Sequence, residues 1–278
     1  MFTLCNVHGS ALHPSLVQDF DMSFPSVFVS HGSPDLVLHS GRSLDFYRQL
    51  GTQIGKPSAI LVVSAHWLST EPIVSTAAQP PTIHDFGGFP AELYQMQYPA
   101  PGAPALAEAV KSLLIQAGFA AQTHPDRGLD HGAWIPLILM YPDAEIPVTQ
   151  LSIQPRRDPA YHFQLGQALA PLRDQNVLIL ASGSLTHNLG ALTRNNFEAE
   201  PTDWAVAFDE WISKTIAQRK IEDLLNYRQL APFAIENHPT DEHLLPLFVA
   251  AGAGGNQPVQ LHSNFTYGSL SMASYAFA

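Results

Sequence analysis

The sequence predicts a single α/β domain in which helices flank a central, mostly parallel β-sheet. The first observation is a set of three apolar runs, at residues 27–30, 59–65 and 177–186. Strands that are apolar without alternation are typically buried on both faces, as the strands of parallel sheets are. The second observation is that helical patterns lie between these runs, which is typical of α/β proteins. A chain of 278 residues is long enough to give such a domain an ample core.

The other elements follow from local signals along the chain. A short helix is predicted over 43–50, before Gly51, and Gly118 ends a helix predicted over 104–117. Thr202 is expected to cap a later helix whose apolar side chains recur at helical spacing. The remaining predicted elements are a short helix at 136–142, a strand at 147–153 and a helix at 158–172. No internal repeat divides the chain, so the domain is expected to span residues 22–278.

Composition excludes several classes of function. Acidic residues outnumber basic ones by 24 to 13, for a formal net charge of −11. Nucleic acids and anionic membrane surfaces need clustered lysine and arginine, so neither is expected as a partner. No apolar stretch is long enough to span a bilayer. A small anionic substrate remains compatible with this charge, because it needs only one or two local cations.

The single cysteine and the first residues bear on cellular location. Cys5 has no second cysteine with which to form a disulfide, which fits a reducing cytoplasm and excludes a cysteine-based zinc site. Residues 1–21 have neither the basic nor the apolar region of a signal peptide. We therefore expect a loosely held N-terminal extension, which is not expected to carry function, and a cytoplasmic protein.

Three histidines follow the three apolar runs. His31, His66 and His187 each stand where a predicted strand gives way to a loop. Ligand sites in such sheets lie just beyond the carboxyl ends of the strands. Each histidine alone is more readily explained as a buried structural residue, but the three together predict a metal site at one edge of the sheet.

Two further regions contain candidate histidines. His131 lies between Asp130 and Gly132 in a predicted loop, where it could contact a polar substrate group or simply pair with Asp130. His238 and His243 belong to a dense cluster of ionisable groups that also includes Glu242. A helix is expected to start at Pro239-Thr240, which places His243 one turn inside it. Either histidine could complete a metal site, and a chance surface cluster is nearly as plausible.

The segment at residues 79–102 is rich in proline, glycine and aromatic residues. Long structured loops of this kind are often binding elements or lids, and its position after the strand that precedes His66 favours a lid. A surface loop packed on its own aromatic side chains is the alternative.

The donor types restrict the metal and the chemistry. Three or four nitrogen and oxygen ligands with open positions suit a catalytic Zn(II) or a non-haem Fe(II). The sequence contains no HExxH zinc motif, no phosphate-binding glycine loop and no GxSxG nucleophile motif. Nucleotide chemistry and serine hydrolysis are therefore not indicated.

Seven motifs, in order from residue 25 to the C-terminus, resemble those of one known family. The chain is similar to the extradiol ring-cleavage dioxygenases of the protocatechuate 4,5-dioxygenase B-subunit superfamily, and more closely to the DOPA 4,5-dioxygenase branch. The motifs are Ser30-His31-Gly32-Ser33-Pro34, Ser64-Ala65-His66-Trp67, Asp85-Phe86-Gly87-Gly88-Phe89, Leu129-Asp130-His131-Gly132-Ala133-Trp134, Gly183-Ser184-Leu185-Thr186-His187-Asn188, Pro239-Thr240-Asp241-Glu242-His243 and Phe265-Thr266-Tyr267-Gly268-Ser269-Leu270-Ser271-Met272.

The resemblance implies roles for individual residues. His31, His66 and His243 would be metal ligands, with His238 or Glu242 as less favoured choices for the third. His187 would be the catalytic histidine, and in zinc-loaded relatives it can also complete the metal shell. His131 would lie near the substrate oxygens. Activity would require Fe(II), and Zn(II) could occupy the site in protein as purified.

The reaction implied is the opening of a catechol ring by O2 to give a muconic semialdehyde. Two rival functions remain, a zinc-dependent hydrolase with the same ligands and a non-enzymatic binding protein on the same fold. The chain departs from the family in its tail. Residues 273–276 are uncharged where relatives often carry charges, which leaves recognition of the substrate side chain open.

Overall fold

An eight-stranded sheet forms the centre of residues 23–278, the part of the chain that the computed structural model describes. Its strand order is β4-β3-β5-β2-β6-β1-β10-β7, and β8 and β9 form a separate two-stranded sheet. The strands are β1 (Ser26–Ser30), β2 (Ala59–Leu68), β3 (Ile73–Ser75), β4 (Gln122–His124), β5 (Val148–Ile153), β6 (Val177–Gly183), β7 (Pro258–His262), β8 (Phe265–Thr266), β9 (Leu270–Ser271) and β10 (Ser274–Phe277). The predicted extension at residues 1–21 lies outside the described residues.

The middle of the sheet is parallel, as predicted. Strand β6 pairs in parallel with β1 on one side and with β2 on the other, and β2 pairs in parallel with β5. Strand β10 pairs in antiparallel fashion with β1 and with β7, which lies at one edge of the sheet. The sheet is therefore mixed. The three predicted apolar runs therefore lie side by side as β1, β6 and β2.

Helices cover both faces of the sheet. The side chains of β1 point alternately to the two faces of the sheet. Val27 and Val29 therefore join one apolar core, and Phe28 joins the other. Nine α-helices occur among residues 23–278: α1 (Arg42–Ile54), α2 (Pro104–Gln116), α3 (His131–Met140), α4 (Pro159–Leu169), α5 (Asp203–Ala217), α6 (Ile221–Leu225), α7 (Tyr227–Leu230), α8 (Ala234–Asn237) and α9 (Leu245–Ala253). The predicted α/β fold is therefore confirmed. Within this range, no helix is both long and apolar enough to cross a membrane.

Two local predictions near the site are wrong. His131 is not in a loop but is the first residue of α3, because the Asp130 carboxylate accepts the Ala133 N–H and caps that helix. No helix starts at Pro239-Thr240; a turn there carries His243, and α9 begins only at Leu245. The His243 carbonyl accepts the Ser184 N–H at 2.8 Å, which ties this turn to the end of β6.

Candidate metal centre

Three imidazoles converge at the carboxyl end of the central strands. His31 directly follows β1, His66 lies in β2 two residues past its last pair with β6, and His243 lies in the turn before α9. The His66 Nε2 is 3.1 Å from the His31 Nε2 and 3.2 Å from the His243 Nε2. His31 and His243 are buried, and His66 is partly exposed. Three histidines far apart in sequence thus direct the same ring nitrogen toward one point.

Each of these histidines has a polar partner at its other ring nitrogen. The His31 Nδ1 is 3.0 Å from the Ser182 hydroxyl, and the His243 Nδ1 is 3.1 Å from a Glu242 carboxylate oxygen. The His66 Nδ1 faces an Asp85 carboxylate oxygen at 3.6 Å. Metal-binding histidines usually have such partners, which orient the ring and select its tautomer.

These partners determine which nitrogen carries the proton. Ser182 donates its own hydroxyl proton to the Gly132 carbonyl, so it accepts from the His31 Nδ1. The carboxylates of Glu242 and Asp85 can only accept. The Nδ1 atoms of His31 and His243 therefore carry the proton, and the nearby Asp85 charge favours a proton on the His66 Nδ1 as well. In this arrangement the three Nε2 lone pairs face one another. A divalent metal ion would relieve this repulsion, so the residues present fit such an ion.

Burial favours the neutral form of the three rings. Burial, followed by the neighbouring histidines, lowers the pKa of His31 and of His243 well below the usual value. Burial is also the main reason that the pKa of His66 falls to about 3, despite the opposing effect of Asp85. Because only neutral imidazole binds a metal, the site is ready for one at neutral pH.

Two glycines make this close packing feasible. A Cβ on Gly183 would lie 2.1 Å from the His243 carbonyl oxygen, and one on Gly132 would lie 2.5 Å from the Ser64 hydroxyl. Gly183 thus leaves room for the backbone of the His243 turn.

His187 stacks on one member of this cluster. Its ring is parallel to that of His243, with centroids 3.4 Å apart and an angle of 8° between the planes. Its potential ligand atoms group with those of Glu242 and His243, and not with those of His31 and His66. Burial lowers the pKa of His187 to about 4.

His131 lies beside the cluster and has an unexpected partner. Asp85 accepts the His131 backbone N–H at 2.9 Å, and the same carboxylate oxygen is 3.0 Å from the His131 Nδ1. The alternative in which His131 pairs with Asp130 is wrong, because the Asp130 carboxylate contacts Arg127, Ser64 and Gln150 instead.

Asp85 was missed as a site residue by the sequence analysis. Its burial would raise its pKa, but the hydrogen bond and charge of His131, together with His66, lower it to about 2. It is therefore ionised beside two imidazoles. The signal that could have revealed it is its position in the aromatic, glycine-rich loop after β2.

A cavity of about 770 Å³ opens onto the five histidines. Part of the loop predicted as a lid, residues 86–90, lines this cavity. Trp134 is buried, and its Nε1 donates to the Ile83 carbonyl. Phe86 provides an aromatic wall, with its ring centroid 5.6 Å from that of His131. The uncharged tail at residues 273–276 is buried around β10 and does not line the cavity.

Comparison with known proteins agrees with this geometry. A family model described as the catalytic LigB subunit of aromatic ring-opening dioxygenase matches residues 25–278. The chain belongs to this family. The predicted resemblance is thereby confirmed, as is the prediction of an aromatic ring-opening dioxygenase of the extradiol type. The rival hydrolase and binding protein are correspondingly disfavoured, and the family together with the histidine cluster indicates a metal cofactor.

Individual relatives cover nearly the whole chain. A protein named 4,5-DOPA dioxygenase extradiol from Beta vulgaris is 44% identical over 256 residues, which is 90% of this chain and 95% of that protein. One of the same name from Escherichia coli strain K12 is 41% identical over 267 residues, covering 93% and 97%. A crystal structure of an uncharacterized Escherichia coli K12 protein superposes with a TM-score of 0.78 at 34% identity, covering 92% of this chain and all of that one.

Proposed function

We propose that this protein is an Fe(II)-dependent extradiol dioxygenase that opens the ring of a catechol with O2 and forms a muconic semialdehyde. The observation that carries the proposal is the convergence of three histidine Nε2 atoms on one point beneath a cavity of substrate size. The names of the relatives make L-DOPA the first substrate to test.

His31, His66 and His243 are proposed to hold the metal. Fe(II) bound there would supply a centre that brings the catechol oxygens and O2 together and allows electrons to pass between them. His238 is disfavoured as a ligand because its Nε2 is directed at the Leu185 carbonyl, 2.8 Å away. Glu242 is disfavoured because it already orients His243.

His187 is proposed to act as the base. Its low pKa leaves the ring neutral at physiological pH, so it can accept a proton from a catechol hydroxyl and return it later. Its ring stacks on that of His243, a proposed metal ligand, which supports a role beside a substrate hydroxyl bound at the metal. This geometry favours His187 as a base over the alternative of a fourth metal ligand.

His131 is proposed to bind a substrate oxygen. The ionised Asp85 carboxylate lies 3.0 Å from its Nδ1, which favours the tautomer with a proton on that nitrogen. The ring is buried and lines the cavity, so its Nε2 is the nitrogen left for the substrate.

The apolar side chains of the cavity are proposed to exclude water from the reacting atoms. Phe86 and Phe89 pack edge to face, with centroids 5.5 Å apart, and Leu270 lines the same cavity. An apolar wall of this kind suits a flat aromatic ring and keeps water away from reactive intermediates.

To test this proposal, metal-free protein is first loaded with Fe(II) under anaerobic conditions and then mixed with L-DOPA in the presence or absence of oxygen. We expect L-DOPA to cause oxygen uptake matched by a yellow ring-opened product, and no product without oxygen. Absence of turnover with a panel of catechols, in protein shown to contain Fe(II), would overturn the proposal.

Substitution of His187 tests the assigned base. We expect His187→Ala to lose nearly all turnover, because no other group at that position takes the proton, while Fe(II) content and thermal stability remain close to those of the unaltered protein. His124→Ala, at an exposed position on β4, is the control. Full activity of His187→Ala would refute the role of His187.

A further inference from the structure

The residues that line the cavity above the histidine cluster change from histidines at its floor to apolar side chains and then to a cation at its open side. His31 and His243 are buried at the floor, and apolar side chains such as Leu192 line the wall. Arg194 is exposed and therefore lies toward the open side. Within residues 23–278, it is the only arginine or lysine that lines this cavity.

The acidic residues of the cavity already have partners. Asp85 pairs with His131, and Glu242 with His243. Asp35 accepts the Tyr267 hydroxyl at 2.6 Å. None of the three neutralises Arg194, because within the described part of the chain no carboxylate oxygen lies within 4.0 Å of its guanidinium nitrogens.

The backbone around Arg194 is held in place. The Thr193 N–H donates to the Tyr267 carbonyl at 2.9 Å. The Asn188 side chain accepts the Gly190 N–H at 3.1 Å and donates to the Glu236 carbonyl at 2.7 Å. The segment that joins His187 to Arg194 is thus fixed at both ends, so the guanidinium and the proposed base belong to one supported loop.

The side chain itself is only partly engaged. One Arg194 nitrogen, Nη2, donates to the Leu189 carbonyl at 3.1 Å. Its other N–H groups have no hydrogen-bond partner in the described part of the chain, so they can bind a ligand. A guanidinium presents a planar pair of donors that matches the two oxygens of a carboxylate.

We propose that Arg194 binds the carboxylate of the substrate side chain and so selects catechols that carry a short acidic substituent. The proposal rests on the proposed function, because it assumes that the ring lies over the histidine cluster. In that orientation the catechol oxygens face the floor, the ring contacts the apolar wall, and an acidic side chain extends toward Arg194. A chain with net charge −11 would need such a local cation to hold an anionic substrate.

The test compares three catechols that differ in their side chains. L-DOPA and 3-(3,4-dihydroxyphenyl)propionate carry a carboxylate, whereas dopamine does not. We expect Arg194→Gln to lower kcat/KM for the two acids by about 10- to 100-fold, the range for a hydrogen bond to a charged group, mainly through KM. Dopamine should be turned over equally well or better. Arg194→Lys should restore part of the activity toward the acids.

The matched control is Arg156→Gln, an exposed arginine that lines a different cavity. It should leave all three substrates unaffected. Equal losses for acids and dopamine in Arg194→Gln, or no loss beyond that of the control, would overturn the proposal.

A binding measurement separates this proposal from the proposed function. Calorimetric titration of zinc-loaded protein with the same catechols under anaerobic conditions needs no turnover. If no catechol is turned over but Arg194→Gln selectively weakens binding of the acids, the role of Arg194 stands while the dioxygenase proposal fails. If ring opening occurs and the variant binds acids as tightly as the unaltered protein, only the role of Arg194 fails.

Discussion

His238 and His243 are five residues apart and both buried, yet their ring nitrogens have different partners. The His238 Nε2 donates to the Leu185 carbonyl at 2.8 Å, so this nitrogen carries the proton and has no lone pair free for a metal. In contrast, His243 has a carboxylate at Nδ1 and presents its Nε2 to two other imidazoles.

The difference shows that burial and proximity do not by themselves make a histidine a metal ligand. What matters is which nitrogen carries the proton and what the other nitrogen faces. For His238 the partner is a carbonyl, which requires a proton on Nε2. For His243 it is Glu242, which leaves the Nε2 lone pair free for a cation.

The largest expected effect is on zinc affinity when His243 and His238 are replaced in separate variants. His243→Ala should lower the affinity of metal-free protein for Zn(II) by more than about 100-fold, beyond the cost of losing a supporting partner. His238→Gln should bind Zn(II) almost as tightly as the unaltered protein, because glutamine can still donate to the Leu185 carbonyl. Competition titration with a chelator measures both.

Far-ultraviolet circular dichroism would verify that both variants are folded. Equal loss of zinc affinity in the two folded variants would break the comparison, because it would make His238 as important to the metal as His243.

A smaller effect on zinc affinity is expected when Glu242, the partner of His243, is replaced. Glu242→Gln should weaken zinc binding by about 10- to 100-fold, since it removes the charge that makes the His243 ring a better donor. Glu236→Gln, at an exposed position on α8, is the matched control and should have no effect. A loss from Glu242→Gln as large as that from His243→Ala would instead indicate that Glu242 itself is a ligand.

The smallest effect concerns the stability of metal-free protein. Burial lowers the pKa of His238 to about 4, and its Nδ1 has no hydrogen-bond partner among residues 23–278. Below the unfolded pKa of about 6.5, the unfolded chain binds a proton that the folded protein does not, so stability is lost as the pH falls. The contribution of His238 to this loss should be about 0.7 kcal/mol between about pH 7 and about pH 6.

Urea unfolding of the unaltered protein and of His238→Gln at both pH values measures this contribution. The free energy of unfolding of the variant should fall by about 0.7 kcal/mol less over the same interval. An identical fall in both proteins would show that His238 does not remain neutral in the folded state.

Much of the fold could be predicted because its signals are local. The buried strands β1, β2 and β6 are continuous apolar runs, and α2 ends one residue before its predicted end. The start of α3 was missed although its cap, Asp130, is a residue type that favours helix N-termini, because the glycine and histidine that follow it also suit a turn.

The candidate site was only partly predictable, because several of its supporting contacts join residues far apart in sequence. His31 is supported by Ser182, which is 151 positions away, and His66 by Asp85 across a loop. Neither pairing leaves a spacing signature. The choice among His238, Glu242 and His243 likewise depended on a resemblance until the turn before α9 was placed against Gly183.

By itself, the sequence determined the class of fold, the family and the histidines that end apolar strands, because these depend on residue type and on neighbours along the chain. Only the tertiary structure decided that the Nε2 atoms of His31, His66 and His243 meet, that Asp85 serves two histidines and that Arg194 lines the cavity. These features arise from the strand order β2-β6-β1 and from loops held by distant contacts. Such contacts depend on the packing of the whole domain, which no local pattern encodes.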